Sequence, residues 1–196
     1  MEYAQVHIAE PDIPRAAEPL FQHLLDTYAS ETNKTASVWT ELRDDQLEFR
    51  AHKKSSTIRE ILVHQLLSER RFFAEFIGLA EPGVAELLPA GDTPGVTAYV
   101  GRYVSLARPR LHALAPRDQV FWLTEVPFFD TTRERIWVYW RRVLHTAHHR
   151  AQIGICLRLL EDRVPPTYGP TADVTWQGAD PTRTPEAAAR RSASKP

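Results

Sequence analysis

Cysteine is almost absent from this sequence: Cys156 stands alone. One thiol forms no intramolecular disulfide and builds no Cys-rich zinc site, so any bound metal has to be held by histidines and carboxylates. A charge excess of either sign is missing too. The formal net charge of −1 offers no basic footprint for the phosphates that dominate affinity for DNA and RNA, and the expectation is no nucleic-acid partner. There is no apolar run of about 18 residues, the length that spans a bilayer. The start, Met1-Glu2-Tyr3-Ala4-Gln5-Val6-His7, lacks the basic and apolar regions of a secretion signal. These absences predict a cytoplasmic protein with no membrane partner. Lysine is scarce beside arginine, a bias that genome composition explains as readily as anion binding does.

What is present is an ordinary globular composition, 43% hydrophobic and 25% charged, over a length of 196 residues that suits a single core. The expected organisation is a lead-in over 1–14, a helical domain over 15–176 and a polar, disordered tail over 177–196. From Pro14 to Thr40, Leu20, Phe21, Leu24, Leu25, Tyr28 and Trp39 recur at three- and four-residue spacing, which predicts an amphipathic helix. Residues 41–56 read as a connection anchored by Leu47 and Phe49. Ser56 or Thr57 can cap a second helix, with Glu60 closing a capping box, and that helix runs to about Gly78. Pro82, Gly83, Pro89, Gly91 and Pro94 then mark a loop. A third helix is expected over Pro94 to Leu114, kinked near Pro109. Residues 119–129 are rich in β-formers but contain Pro127, which predicts an extended segment or short hairpin. The last helix is expected from about Thr132, capped by Asp130 or the threonines after it, to Glu161, ahead of Pro165-Pro166.

Three of the eight histidines fall in His145-Thr146-Ala147-His148-His149. On a helix, residues four apart lie about 40° apart around the axis and roughly 6 Å along it, so His145 and His149 can converge on one ion. The same spacing also fits solvated or hydrogen-bonded core histidines. His148 points to the other side and reads first as a neighbour that packs or hydrogen-bonds, and second as a substitute ligand. His64 lies among the apolar positions of the second helix, where an inward-facing imidazole would supply a third nitrogen, as bundle sites require. Three protein ligands leave a position open for water or substrate, whereas structural zinc is closed by four. Neutral nitrogens favour Zn, Ni, Fe or Cu over Mg or Ca. Gln152, one turn beyond His148, is placed to orient a ligand. Cys156, two turns past His149, is too distant to ligate and reads as a small buried residue. Glu69 and Arg70 are candidates for the mouth of the site. His7, His23, His52 and His112 each read as surface or packing residues.

The segments Ser56-Thr57-Ile58-Arg59-Glu60-Ile61-Leu62-Val63-His64-Gln65-Leu66-Leu67-Ser68-Glu69-Arg70 and His145-Thr146-Ala147-His148-His149-Arg150-Ala151-Gln152, followed by Val164-Pro165-Pro166-Thr167-Tyr168-Gly169, resemble the DinB-like (damage-inducible) metalloprotein family in order and spacing. The resemblance spans roughly residues 15–176. It implies an all-α, four-helix bundle in up-down-down-up order with a crossover connection, and His64, His145 and His149 as metal ligands. Ala151 departs from the glycine common in the family, a change that bears on helix packing rather than on the ligands. The resemblance further implies a stress-response role, a homodimer, and a thiol S-transferase-like enzyme. In such an enzyme a divalent transition metal activates a low-molecular-weight thiol, such as bacillithiol or mycothiol, toward a small-molecule substrate. A metal-dependent hydrolase and a non-catalytic metal-binding protein are the alternatives. For the dimer, Trp140, Val143, Ile153 and Leu157 on the last helix offer a second apolar face.

Overall fold

Thr57 shows how local sequence sets an element. In the computed structural model, which describes residues 5–169 and 171–173, its hydroxyl accepts from the Glu60 amide at 3.1 Å while the Glu60 carboxylate accepts from the Thr57 amide at 2.7 Å. This reciprocal capping box starts the helix Ile58–Arg71. The helix widens into a π-helical turn, Phe72–Ile77, that buries Phe72, Phe73, Phe76 and Ile77. It ends at Gly78 with φ +82°, a left-handed cap that glycine adopts without a Cβ penalty.

In chain order the elements are α1 (Gln22–Thr40), α2 (Ile58–Arg71), α3 (Val84–Leu87), α4 (Val96–Leu114), α5 (Gln119–Leu123), β1 (Glu125–Phe128), β2 (Thr131–Glu134) and α6 (Arg135–Leu159). The long helices α1, α2, α4 and α6 form the four-helix bundle, and the connection over 78–95 is the crossover of its up-down-down-up order. α1 packs on α4 and α6, and α6 packs on α2 and the π turn, which sets α2 and α6 side by side. Between the helices Leu24, Leu25, Trp39, Leu62, Leu66, Phe73, Tyr103, Tyr139 and Leu157 are fully buried. Each such side chain stabilises the fold by about 1.5–3 kcal/mol relative to leaving it in water. No helix of the described residues is long and apolar enough to cross a membrane.

Buried charges tie the helices together. Arg110 of α4 bridges Glu69 of α2 at 3.2 Å and Glu81 of the crossover at 2.6 Å. Tyr28 of α1 donates to Glu69 at 2.9 Å. Arg150 of α6 pairs with Glu31 of α1 at 2.8 Å, and Tyr168, beyond α6, donates to the same carboxylate at 2.6 Å. A buried pair of this kind adds little net stability, but removing one member strands the other in low dielectric.

Several expectations are corrected. α1 begins at Gln22, after a 3-10 turn over Pro19–Phe21, and not near Pro14. Glu18 is held extended ahead of Pro19, the conformation that a following proline ring imposes. The crossover is not loop throughout, since α3 forms in it. Residues 119–123 are helical rather than extended: Asp118 accepts from the Phe121 amide at 2.8 Å, and this cap outweighs the β-forming composition. The expected hairpin is present, with its first strand inside 119–129 and its second just beyond, Phe128 standing opposite Thr131 and Pro127 opposite Thr132. The threonines after Asp130 pair in β2 instead of capping, so α6 starts at Arg135 without a side-chain cap. Val143, Ile153 and Leu157 lie in the chain's own core, and Trp140 packs beside it. The apolar residues that α6 leaves exposed are Trp137, Leu144, Ile155 and Leu159. The tail expected over 177–196 lies outside the described residues.

Candidate metal centre

The side-by-side packing of α2 and α6 brings one histidine of α2 against two of α6. Gln65, next to His64, fixes the register: its amide donates to the Thr146 carbonyl at 3.4 Å, and its carbonyl accepts from Arg142 at 2.8 Å. His64 thereby stands over both imidazoles of α6, with ring centroids 5.3 Å from His145 and 4.7 Å from His149. One ring nitrogen from each of the three lies within 4.8 Å of the others. His64 is solvent-exposed at the groove rather than directed into the core, while His145 and His149 are half-buried.

The donor set fits a borderline transition metal. The ε nitrogens of His145 and His149 are 3.2 Å apart. Two nitrogens each about 2.05 Å from one tetrahedral ion stand about 3.3 Å apart, so little movement separates this pair from coordination. All three imidazoles titrate below the usual histidine range. Burial is the main cause, reinforced by Arg142, and His145 is pushed down to about 3. Neutral imidazole is the ligating form. Among the described residues no carboxylate or thiol joins the group.

The partners of the outer nitrogens differ. His149 Nδ1 lies 2.7 Å from Gln152 Oε1, so it carries the proton and leaves Nε2 as the free lone pair, as metal-bound histidines require. His145 is arranged the other way. Arg142 donates to its Nδ1 at 2.6 Å, which places the ring proton on Nε2, facing His149. Loading an ion therefore requires His145 to change tautomer and Arg142 to give up this contact. Arg142 is 1% exposed, hydrogen-bonded to Ser68 and Gln65, and has no carboxylate at bonding distance among the described residues. Its one signature in the sequence is its position three residues before His145, on the same face of α6.

Two clefts meet at the triad. A cavity of about 350 Å³ is lined by Ser56, Glu60, His64, His149, Gln152 and Cys156. A second, of about 560 Å³, is lined among others by His64, His145, Arg71, Arg141, Phe72 and Phe129. The triad is thus open on two sides, not plugged by apolar side chains.

The other singled-out residues fall elsewhere. His148 is exposed, packs beside His149 and contacts Gln152 at 3.2 Å, outside the triad. Cys156 is buried, and burial pushes its thiol up. Glu69 does not line the mouth, being 1% exposed and paired with Arg110, and Arg70 instead donates to the Pro82 carbonyl. His23 stacks on Trp140, His52 accepts from the Lys54 amide, His7 is half-buried near Arg108 and His112 is exposed. Ala151 is exposed, so its methyl changes no packing within the chain.

Comparison with known proteins agrees with the fold. The sequence model described as DinB family matches residues 15–182. A DinB-like protein from Bacillus cereus superposes with a TM-score of 0.60 at 18% identity, over 72% of this chain and 93% of that one. The DinB-like protein YjoA from Bacillus subtilis superposes with a TM-score of 0.55 at 14% identity, over 71% and 92%. At these identities the likeness is one of fold. No curated protein matches the chain.

Proposed function

The chain belongs to the DinB family, and from that premise we propose that it is a metal-dependent, thiol S-transferase-like enzyme. Its ion is a divalent transition metal, Zn, Ni or Fe, held by His64, His145 and His149. The observation that carries this reading is the three-nitrogen cluster at the junction of two open clefts, with no fourth protein donor among the described residues. Such a site keeps a position for an exogenous ligand.

When bound, the ion supplies Lewis acidity that lowers the pKa of a coordinated low-molecular-weight thiol, as a metal does for any coordinating thiol. The chain's own residues do the rest. Gln152 holds the His149 ring by accepting from Nδ1. Arg142, held by Ser68 and Gln65, keeps a positive charge near the cluster, which favours an anionic sulfur there over a neutral one. The thiol proton leaves to solvent through the clefts. The sulfur forms a bond to the electrophilic carbon of the substrate, and the leaving group departs with the electron pair of the broken bond.

The reading is tested by mixing metal-reconstituted protein with cysteine, glutathione, bacillithiol or mycothiol and the electrophile monochlorobimane. The expected result is thiol conjugation faster than in the chelator-treated protein and lost in His145→Ala. Equal rates in all three samples would reject the transferase and leave a hydrolase or a non-catalytic metal protein to test.

A further inference from the structure

The larger cleft has a two-part chemistry that the triad does not use. One wall is aromatic. Phe72 lies nearly parallel to the His145 ring at 6.3 Å between centroids, and Phe128 packs on Phe72 at 5.9 Å and on Phe129 at 4.8 Å. Two arginines, Arg71 and Arg141, also line the cleft, Arg71 with its guanidinium over the Phe76 and Phe129 rings. Arg71 is committed to Glu75 at 2.9 Å. Arg141 is exposed and its side chain makes no ion pair or hydrogen bond among the described residues, so the cleft presents an uncommitted guanidinium.

An independent observation points to the same cleft. The β1–β2 connection is the two-residue turn Phe129-Asp130, and Phe129 has φ +53°. Positive φ at the first turn position is where hairpins place glycine, and an aromatic residue there is a strained backbone outlier. The ring gains little from the fold in return. It is 62% exposed, resting against Phe76, Phe128 and the Arg71 guanidinium at the cleft rim. A strained, solvated aromatic residue lining the same cleft as the uncommitted Arg141 fits a ligand that is apolar at one end and anionic at the other.

We propose that this cleft binds the electrophilic substrate as an organic anion. Its carboxylate, sulfonate or phosphate lies on Arg141, with Arg71 in support, and its aryl or alkyl body lies between Phe72 and Phe129, directing the reacting end toward His64 and His145. The proposal rests on the reading of the triad as the reacting centre, and its test separates the two.

The protein as purified, with metal content measured on the same sample, is titrated with anilinonaphthalene sulfonate and with the uncharged N-phenylnaphthylamine. Arg141→Met should weaken sulfonate binding about tenfold while leaving the neutral probe within about twofold, because one charge-assisted hydrogen bond is worth roughly that factor. Phe129→Gly should weaken both probes yet leave the melting temperature unchanged or raised, since glycine relieves the turn. A merely structural Phe129 would give the opposite sign. Sulfonate binding unchanged in Arg141→Met, or both probes unchanged in Phe129→Gly, would overturn the proposal whatever the metal content. An Arg141-dependent preference in a sample without metal would uphold the cleft and count against the triad.

Discussion

Gln152→Leu should loosen the metal without unfolding the protein. Leucine matches glutamine in size but cannot accept the proton of His149 Nδ1, which lies 2.7 Å from Gln152 Oε1. Losing the partner that orients a ligating histidine costs about 10- to 100-fold in metal affinity. Because the site is half-open, with both partners only part-buried, the lower end applies: about tenfold, or about 1.4 kcal/mol. Gln152→Glu should shift affinity the other way, since a carboxylate accepts the same proton with charge assistance. Gln152 also contacts His148 at 3.2 Å, so His148→Ala is the control and should leave affinity within about twofold. Competition with a chromophoric chelator measures all three. Equal affinities in the leucine and glutamate variants would refute the orienting role of Gln152.

Arg142→Gln should raise metal affinity, by about tenfold on the same scale, because glutamine can accept from His145 Nδ1 where arginine only donates; chelator competition beside urea denaturation would show tighter metal in a less stable apo-protein. Glu31→Gln should destabilise by about 3–5 kcal/mol near pH 7, since it strands the buried Arg150. Burial alone would raise the Glu31 pKa, but Arg150, Tyr168 and Lys34 outweigh it and hold the carboxyl below 4.5. A lowered carboxyl pKa contributes stability above the unfolded value that is lost as pH falls through the folded one. The wild-type advantage over Glu31→Gln in urea titrations should therefore hold from pH 7 to about 5 and shrink below 4.5. Thr57→Ala removes the α2 cap and should cost about 1 kcal/mol, or about 2–4 °C in melting temperature.

The parts of the fold that were legible are those governed by local rules. Thr57 and Glu60 announce α2, Gly78 ends it, and the apolar spacing of α1 and α4 locates their cores. The boundary at Pro19 is equally local, and the Asp118 cap is local too but lies ahead of a β-forming run that masks it. The tertiary choices were out of reach. Nothing in the residues themselves says that Thr131–Glu134 pairs with Glu125–Phe128 instead of extending α6, because strand pairing is decided by neighbours. The histidine spacing on α6 was readable, and so was His64, but their outer partners were not equally so. Gln152 follows from helix geometry, whereas the contact of Arg142 with His145 depends on how Gln65 and Ser68 hold the guanidinium. The strain at Phe129 has no sequence signature, since glycine or asparagine is what that turn would ordinarily advertise.

Whether the three histidines hold an ion is tested most directly by elemental analysis of untagged protein. About one equivalent of Zn, Ni or Fe per chain in the wild type, and none in the His64→Ala/His145→Ala/His149→Ala variant that still folds by circular dichroism, is the predicted result. No metal in the wild type after reconstitution, or equal metal in both proteins, would contradict it.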